Sequence, residues 1–304
     1  MKRVLIIGES QMIKKALIER LNRSQINHID GAEIDLMEQA EVALYIRDTK
    51  PDEVYFTGGY WFGLFENEKC PAELGFNNAQ IIMNIIFAVG VCKVPKTLFV
   101  SSSCIYPPLA PQPIKEDSLM TGLLEPISEP SALARIWGHK LFTYFNKQYG
   151  TQFVTVVPTG MYGPGDDFCP ATGHVLPALI ERFTLAKEQG LKEITLWGSG
   201  RPFREWIHVD DVADACVFAM EHCNNELVNI ANPEGELQIV DLAAKIAKIV
   251  GYDGGIKWDT SKPDGAFKKA LDGSKLAKLG WKPKISLQEG LERTVKWYQE
   301  NRVA

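Results

Sequence analysis

Short runs of β-branched and aromatic residues alternate with longer helix-patterned stretches through the first half of this chain, and no other feature restricts its fold so strongly. Lys2 to Ile7 is a β run stopped by Gly8, after which Met12, Ile13, Ala16, Leu17 and Leu21 recur at helical spacing. Glu38 to Thr49 reads as a second helix and Glu53 to Phe56 as a strand. Pro71 to Val91 is a long helix, Thr97 to Val100 a strand, Ser131 to Tyr149 a helix, and QFVTVVP (Gln152 to Pro158) another buried strand. Alternation of this kind predicts an α/β chain, a doubly wound parallel sheet with helices on both faces.

Beyond the turn-rich YGPGDD (Tyr162 to Asp167) the alternation weakens. His174 to Gln189 is helical, Glu193 to Trp197 a short strand, GSGRPFR a loop and DVADACVFAMEH a helix. Gln238 to Val250 and Ser286 to Asn301 are two more amphipathic helices. The expectation is a Rossmann-like dinucleotide-binding domain over residues 1–165 with a return segment near 200–230, and a smaller C-terminal substrate lobe over 166–199 and 235–304. No linker divides the 304 residues, which suffice for a sizeable core.

The composition, 45% hydrophobic and 23% charged, is that of an ordinary globular chain, and the net charge of −5 gives no global pull toward nucleic acid or an anionic membrane. An anionic ligand must therefore be met by a local basic pocket. The apolar run before Gly8 and Glu9 is too short for a signal peptide, and no stretch is read as spanning a bilayer. Six scattered cysteines without a CxxC pair argue against metal or redox motifs and fit a reducing cytoplasm.

The stretch from Ser101 to Lys140 carries the chemistry. A serine cluster and a cysteine follow the strand that ends at Val100, where open α/β sheets bind ligands, and a helix opened by Glu129 and Pro130 places positions 131 and 135 on one face. SSCIYP, LAPQPI, TGxLEP, EPxAxAxIxGxKL, YGP, HVxPALxxRF, WGSGxPxREWxHVDD and SKPDG, in this order from about residue 51 onward, resemble the GDP-L-fucose synthase family of extended short-chain dehydrogenases/reductases. The resemblance implies an NADP(H) cofactor, a GDP-sugar substrate and a homodimer.

Where that family has tyrosine and lysine one turn apart, this chain has Ser131 and Arg135. A serine hydroxyl is far less acidic than a phenol and shorter by a ring, and arginine cannot be tuned as lysine can. Ser131 also suits a helix start, while Arg135 could hold a ribose or phosphate oxygen. The family's GxxGxxG keeps only Gly8, with Gln11 and Lys14 at the other two glycines. Lys14 and Lys15 are either solvated or paired with phosphate. Asp35 is either an N-cap or the ribose acid. Gly58 and Gly59 in TGGYWFG keep backbone approachable, and Trp61 and Phe62 are either core or a reshaped pocket. By the same resemblance Pro158, at the end of QFVTVVP, and Gly160, where the family has asparagine before YGP, belong with Gly8, Gln11, Asp35, Gly58 and Gly59 to the cofactor-binding set.

By resemblance, Cys104 and His174 are the pair that moves protons at C3 and C5 of a 4-keto sugar, and Ser102 hydrogen-bonds the ketone. By residue type alone, Cys104 is as well read as a buried residue and His174 as a helix cap. Arg182, Trp197, Arg204 and Lys269 match the positions that take the nucleotide diphosphate. The substitutions fall on the hydride side. The expected activity is therefore epimerase-type proton transfer, with reduction left open. The alternatives are a full NADP-dependent epimerase/reductase with Tyr106 or Tyr162 as substitute acid, and a catalytically silent binder or partner subunit.

Overall fold

The computed structural model describes residues 2–31, 34–60, 68–262 and 264–302, so Trp61 and Phe62 lie outside the described residues. In chain order the elements are β1 (Val4–Ile7), α1 (Gln11–Arg23), β2 (His28–Asp30), α2 (Gln39–Thr49), β3 (Glu53–Phe56), α3 (Pro71–Val91), β4 (Lys96–Val100), α4 (Glu129–Tyr149), β5 (Gln152–Pro158) and β6 (Gly160–Tyr162). There follow α5 (Val175–Glu188), β7 (Glu193–Trp197), β8 (Phe203–His208), α6 (Val209–His222), β9 (Leu227–Ile230), β10 (Glu236–Gln238), α7 (Ile239–Val250), β11 (Gly255–Asp259), β12 (Lys268–Lys269), α8 (Ser274–Leu279) and α9 (Leu287–Asn301).

The central sheet runs β2-β1-β3-β4-β5-β9 and is parallel throughout. β1, VLII, is buried on both faces because successive side chains alternate. Val4 and Ile6 meet Ile13, Leu17 and Leu21 of α1 and the apolar face of α6. Leu5 and Ile7 meet Val42 and Ile46 of α2 and the isoleucines of α3. The sheet is therefore the doubly wound one expected, with its strand order reversing between β1 and β3, the position at which such sheets open a ligand crevice.

Helix ends follow local chemistry. Pro130 begins α4 and Gly150, in the left-handed conformation, ends it. Ser286 caps α9 by accepting from the Glu289 amide. By length and composition α3 could cross a membrane, which corrects the expectation that no stretch could. It packs on the sheet between α2 and α4, however, and 56% of its most apolar window is buried.

The return to the sheet is made by α6 and β9. β8 instead joins β6, β10 and β12 in a second small sheet, and β7 pairs with β11. A separate core (Leu176, Ile180, Phe183, Trp206, Ile246 and Tyr298 among its members) underlies these elements. Glu205 of β8 staples them to the sheet, accepting from the Leu271 amide at 2.7 Å and from the amide of Asn232, just past β9. Burial pushes its carboxyl up to about 7, against the pull of those two amides.

Candidate active site

Val100 ends β4, and the Ser101 amide still donates to Val156 of β5 at 2.8 Å. The chain then leaves the sheet. Ser102 caps a short 3-10 turn over Ser103–Ile105, its hydroxyl accepting from the Cys104 amide at 3.4 Å. Cys104 is thereby held half-buried in a cleft that it lines with Tyr106, Gln112, Glu125, Lys268 and Lys269. An apolar layer containing Ile105, Ile136, Val157 and Leu271 lies beneath the turn and fixes it.

His174 arrives from the other side, as the N-cap of α5. The loop that delivers it is built by Asp167, whose carboxylate accepts from the Cys169 amide (3.0 Å) and from the Thr172 hydroxyl (2.6 Å). The sequence had suggested only turn formers there. An acidic pair followed five residues on by Thr-Gly was the available sign that the loop is built around a carboxylate. The neighbouring Asp166 takes the Asp167 amide on one oxygen and leaves the other buried without a partner, and burial pushes its pKa up to about 7.

His174 is open to solvent but ringed by protein. Desolvation holds its imidazole below the ordinary value, with Asp167 opposing and the cations Lys269 and Arg135 reinforcing the shift. Cys104 and Lys269 line one cleft, and the same lysine acts on His174, 70 residues from the cysteine in sequence.

Ser131 and Arg135 face this region from α4, both buried. The Arg135 guanidinium donates to the Ser131 carbonyl at 3.1 Å and to the Tyr60 carbonyl at 2.8 Å. It braces the helix against the segment leaving β3. The hydroxyls of the two suggested substitute acids are bonded to protein groups. Tyr106 donates to Asn229 at 2.7 Å, Tyr162 reaches the Leu287 carbonyl at 3.5 Å, and burial raises both phenols well above their ordinary value.

In the small lobe, Lys269 of β12 is in register with Arg204 of β8, so both point to one face. Burial lowers the Lys269 pKa, opposed by Cys104 and Glu125. Arg204 donates to the carbonyls of Phe203 and Ala266. Arg182 donates to the Thr195 carbonyl at 2.6 Å, and Trp197 is 62% exposed with Lys262 over its ring. An exposed indole is available for stacking, whereas both arginines spend donors on backbone.

The coenzyme end lies at the reversal of strand order. Gly8 (φ +135) is required where β1 meets the β3 exit, because a Cβ there would lie 2.4 Å from Thr57 Oγ1; Glu9 then donates its amide to Gly58 at 3.0 Å. Gly58 and Gly59 follow β3, Pro158 ends β5, and Gly160 begins β6, where a Cβ would meet the Glu205 carbonyl at 2.7 Å. Gly160 is thus explained by close strand packing. Gln11 is exposed on the first turn of α1, so only Lys14 intrudes. Its ammonium is buried against Asp30 at 2.6 Å. Asp35 lies five residues beyond the end of β2 and accepts from the Met37 amide at 2.9 Å, a local turn; the acid that ends β2 is Asp30. Glu9 is half-buried, its pKa raised by desolvation, eased by Lys14 and raised further by Asp35. NADP(H) is the coenzyme that family resemblance implies, and this end of the sheet is acidic: Glu9, Asp30 and Asp35 lie near one another, and the Lys14 ammonium among them is paired with Asp30.

Comparison with known proteins agrees with the fold. The model of the NAD dependent epimerase/dehydratase family matches residues 5–231. GDP-L-fucose synthase 1 of Arabidopsis thaliana is 41% identical over 303 residues, covering 98% of this chain and 94% of its own length. GDP-L-fucose synthase of Escherichia coli K12 is 39% identical, covering 99% and 97%. Two solved structures from Campylobacter jejuni superimpose closely. A GDP-6-OMe-4-keto-L-xylo-heptose reductase has a TM-score of 0.92 at 28% identity, covering 99% and 98%. MlghC, a GDP-mannoheptose C4 reductase with NADP bound, has a TM-score of 0.87 at 31% identity, covering 98% of each chain. NADP(H) is by this resemblance the coenzyme of the family. This chain belongs to the NAD dependent epimerase/dehydratase family, on its GDP-L-fucose synthase branch.

Proposed function

We propose that the chain acts on a GDP-4-keto-6-deoxyhexose or a close relative, and that its activity is proton transfer at C3 and C5 rather than reduction at C4. The observation that carries this reading is that Cys104 lines a cleft with Lys269, which also acts on His174, while Ser131 and the braced Arg135 occupy the positions where the resembling family has its tyrosine and lysine.

A ketone at C4 acidifies the hydrogens on C3 and C5. One member of the pair removes such a proton, and the electron pair moves onto the ketone oxygen as an enolate. The other member returns a proton to the opposite face of the carbon, so the sugar is isomerised with no net oxidation. Ser102 donates to the enolate oxygen, and the fixed positive charges of Lys269 and Arg135 favour it before it forms. The nucleotide diphosphate lies along the lobe formed by 166–199 and 235–304, against Arg182, Trp197, Arg204 and Lys269, with residues 1–165 and the return segment as the sheet domain. A homodimer in the cytoplasm completes the reading. The names of the GDP-sugar relatives support the substrate class.

The test is deuterium uptake at C3 and C5 of GDP-4-keto-6-deoxymannose in deuterated water without added NADPH. Uptake is expected, lowered strongly by Cys104→Ser and slowed at one carbon by His174→Ala. No uptake by protein that demonstrably binds the sugar would make it a silent binder. Uptake indifferent to both substitutions would place the base elsewhere.

A further inference from the structure

The third glycine of a dinucleotide fingerprint permits close packing of helix and strand, and an acid about 20 residues farther on accepts the adenosine ribose hydroxyls. In this chain those positions are Lys14, on the first turns of α1, and Asp30, the last residue of β2. Their side chains meet. The Lys14 ammonium is 2.6 Å from Asp30 Oδ1, with 3% of the lysine side chain exposed against 45% of the aspartate. A desolvated ammonium with an acid at contact distance is held there, since without the acid its buried charge is left unpaired. Lys15, the next residue, is exposed to solvent.

We propose that Lys14 is a built-in plug: its ammonium takes the place of the ribose hydroxyls on Asp30 and closes the groove to dinucleotides, so that the pair sets coenzyme selection in this chain. Removing the plug frees Asp30 to accept the 2′ and 3′ hydroxyls, and its carboxylate then repels a 2′-phosphate. The unplugged groove therefore takes NADH ahead of NADPH, the reverse of the family's coenzyme. The inference stands on the groove alone, and it is read by binding rather than by proton exchange.

The experiment titrates NADH and NADPH by nucleotide fluorescence against the full chain, against Lys14→Gly and against Lys14→Ala, with circular dichroism to verify folding. The wild-type protein is expected to show no saturation at tens of micromolar with either nucleotide. The folded variants are expected to gain about tenfold or more in affinity for NADH, a change of roughly 1.4 kcal/mol, and less for NADPH. Saturation of the wild type by either nucleotide at low micromolar concentration overturns the proposal. So does a folded variant that gains for neither, or that gains more for NADPH. Should both variants fail to fold, limited acetylation read by mass spectrometry decides on wild-type protein: Lys14 must label far more slowly than Lys15, and equal labelling overturns the plug.

Discussion

Arg135 Nη2 donates to the carbonyl of Tyr60 at 2.8 Å, tying α4 to the segment that leaves β3. The guanidinium also holds the Ser131 carbonyl of its own helix, so a single side chain bridges two parts of the ligand crevice. Lysine cannot make both bonds in this geometry, having a point charge on a shorter reach. The position is therefore structural as well as electrostatic.

Restoring the family's pair does not by itself restore reduction. Ser131→Tyr with Arg135→Lys inserts a ring at a site that is 8% exposed and removes the brace. Overpacking and lost hydrogen bonds each cost about 1–3 kcal/mol, so a fall of several degrees in Tm is expected. NADPH oxidation with the keto sugar should stay at background because Lys14 still fills the groove. Steady oxidation by the double variant would show an intact coenzyme site.

His139 makes the fold sensitive to acid. Its ring sits against Thr155 Oγ1 at 3.1 Å, and burial, with Lys140 and Lys275 nearby, holds its pKa down to about 4. As pH falls below about 6.5 the unfolded chain takes up this proton first, so the stabilisation is complete above that value and is lost on the way down to about 4. The effect is at most about 3 kcal/mol across the window. His139→Gln should flatten the fall of Tm between pH 6.5 and 4.5 relative to wild type; parallel curves would remove the histidine from the account.

GDP should raise Tm by mass action. Lys269→Ala should abolish most of that rise. Arg204→Ala should do the same and also lower the starting Tm, since the carbonyls of Phe203 and Ala266 lose their donor, a loss of about 1–3 kcal/mol. A melting curve that GDP, UDP and dTDP all leave unmoved would separate the lobe from nucleotide binding.

One face of α3 and α4 remains apolar and open. Phe76, Met83, Phe87 and Val91 recur along α3, and Leu133, Trp137 and Tyr144 along α4, all exposed. Two such faces laid together bury the stripe in a helix bundle. Phe87→Glu with Trp137→Glu should shift the sedimentation or light-scattering mass from dimer to monomer. An unchanged dimer would place the interface elsewhere, and a monomeric wild type would remove it.

The sheet was legible because β1, β3, β4 and β5 are buried on both faces and so read as continuous apolar runs, and because α1, α3 and α4 repeat at helical spacing. β2 was not, since its three residues HID are partly exposed and carry no pattern, so Asp30 at its end went unread. β12, two lysines long, is defined only by its pairing with β8. Sequence alone determined the fold class, the motif segments that hold Cys104, His174 and Lys269, and the presence of Ser131 and Arg135 one turn apart on one helix. Only the tertiary structure decided that Lys14 is buried rather than solvated, that Arg135 is a brace and that the Tyr106 and Tyr162 hydroxyls are bonded to protein groups. A residue's type fixes which bonds it can form, while its partner is set by which distant backbone the sheet brings within about 3 Å of it.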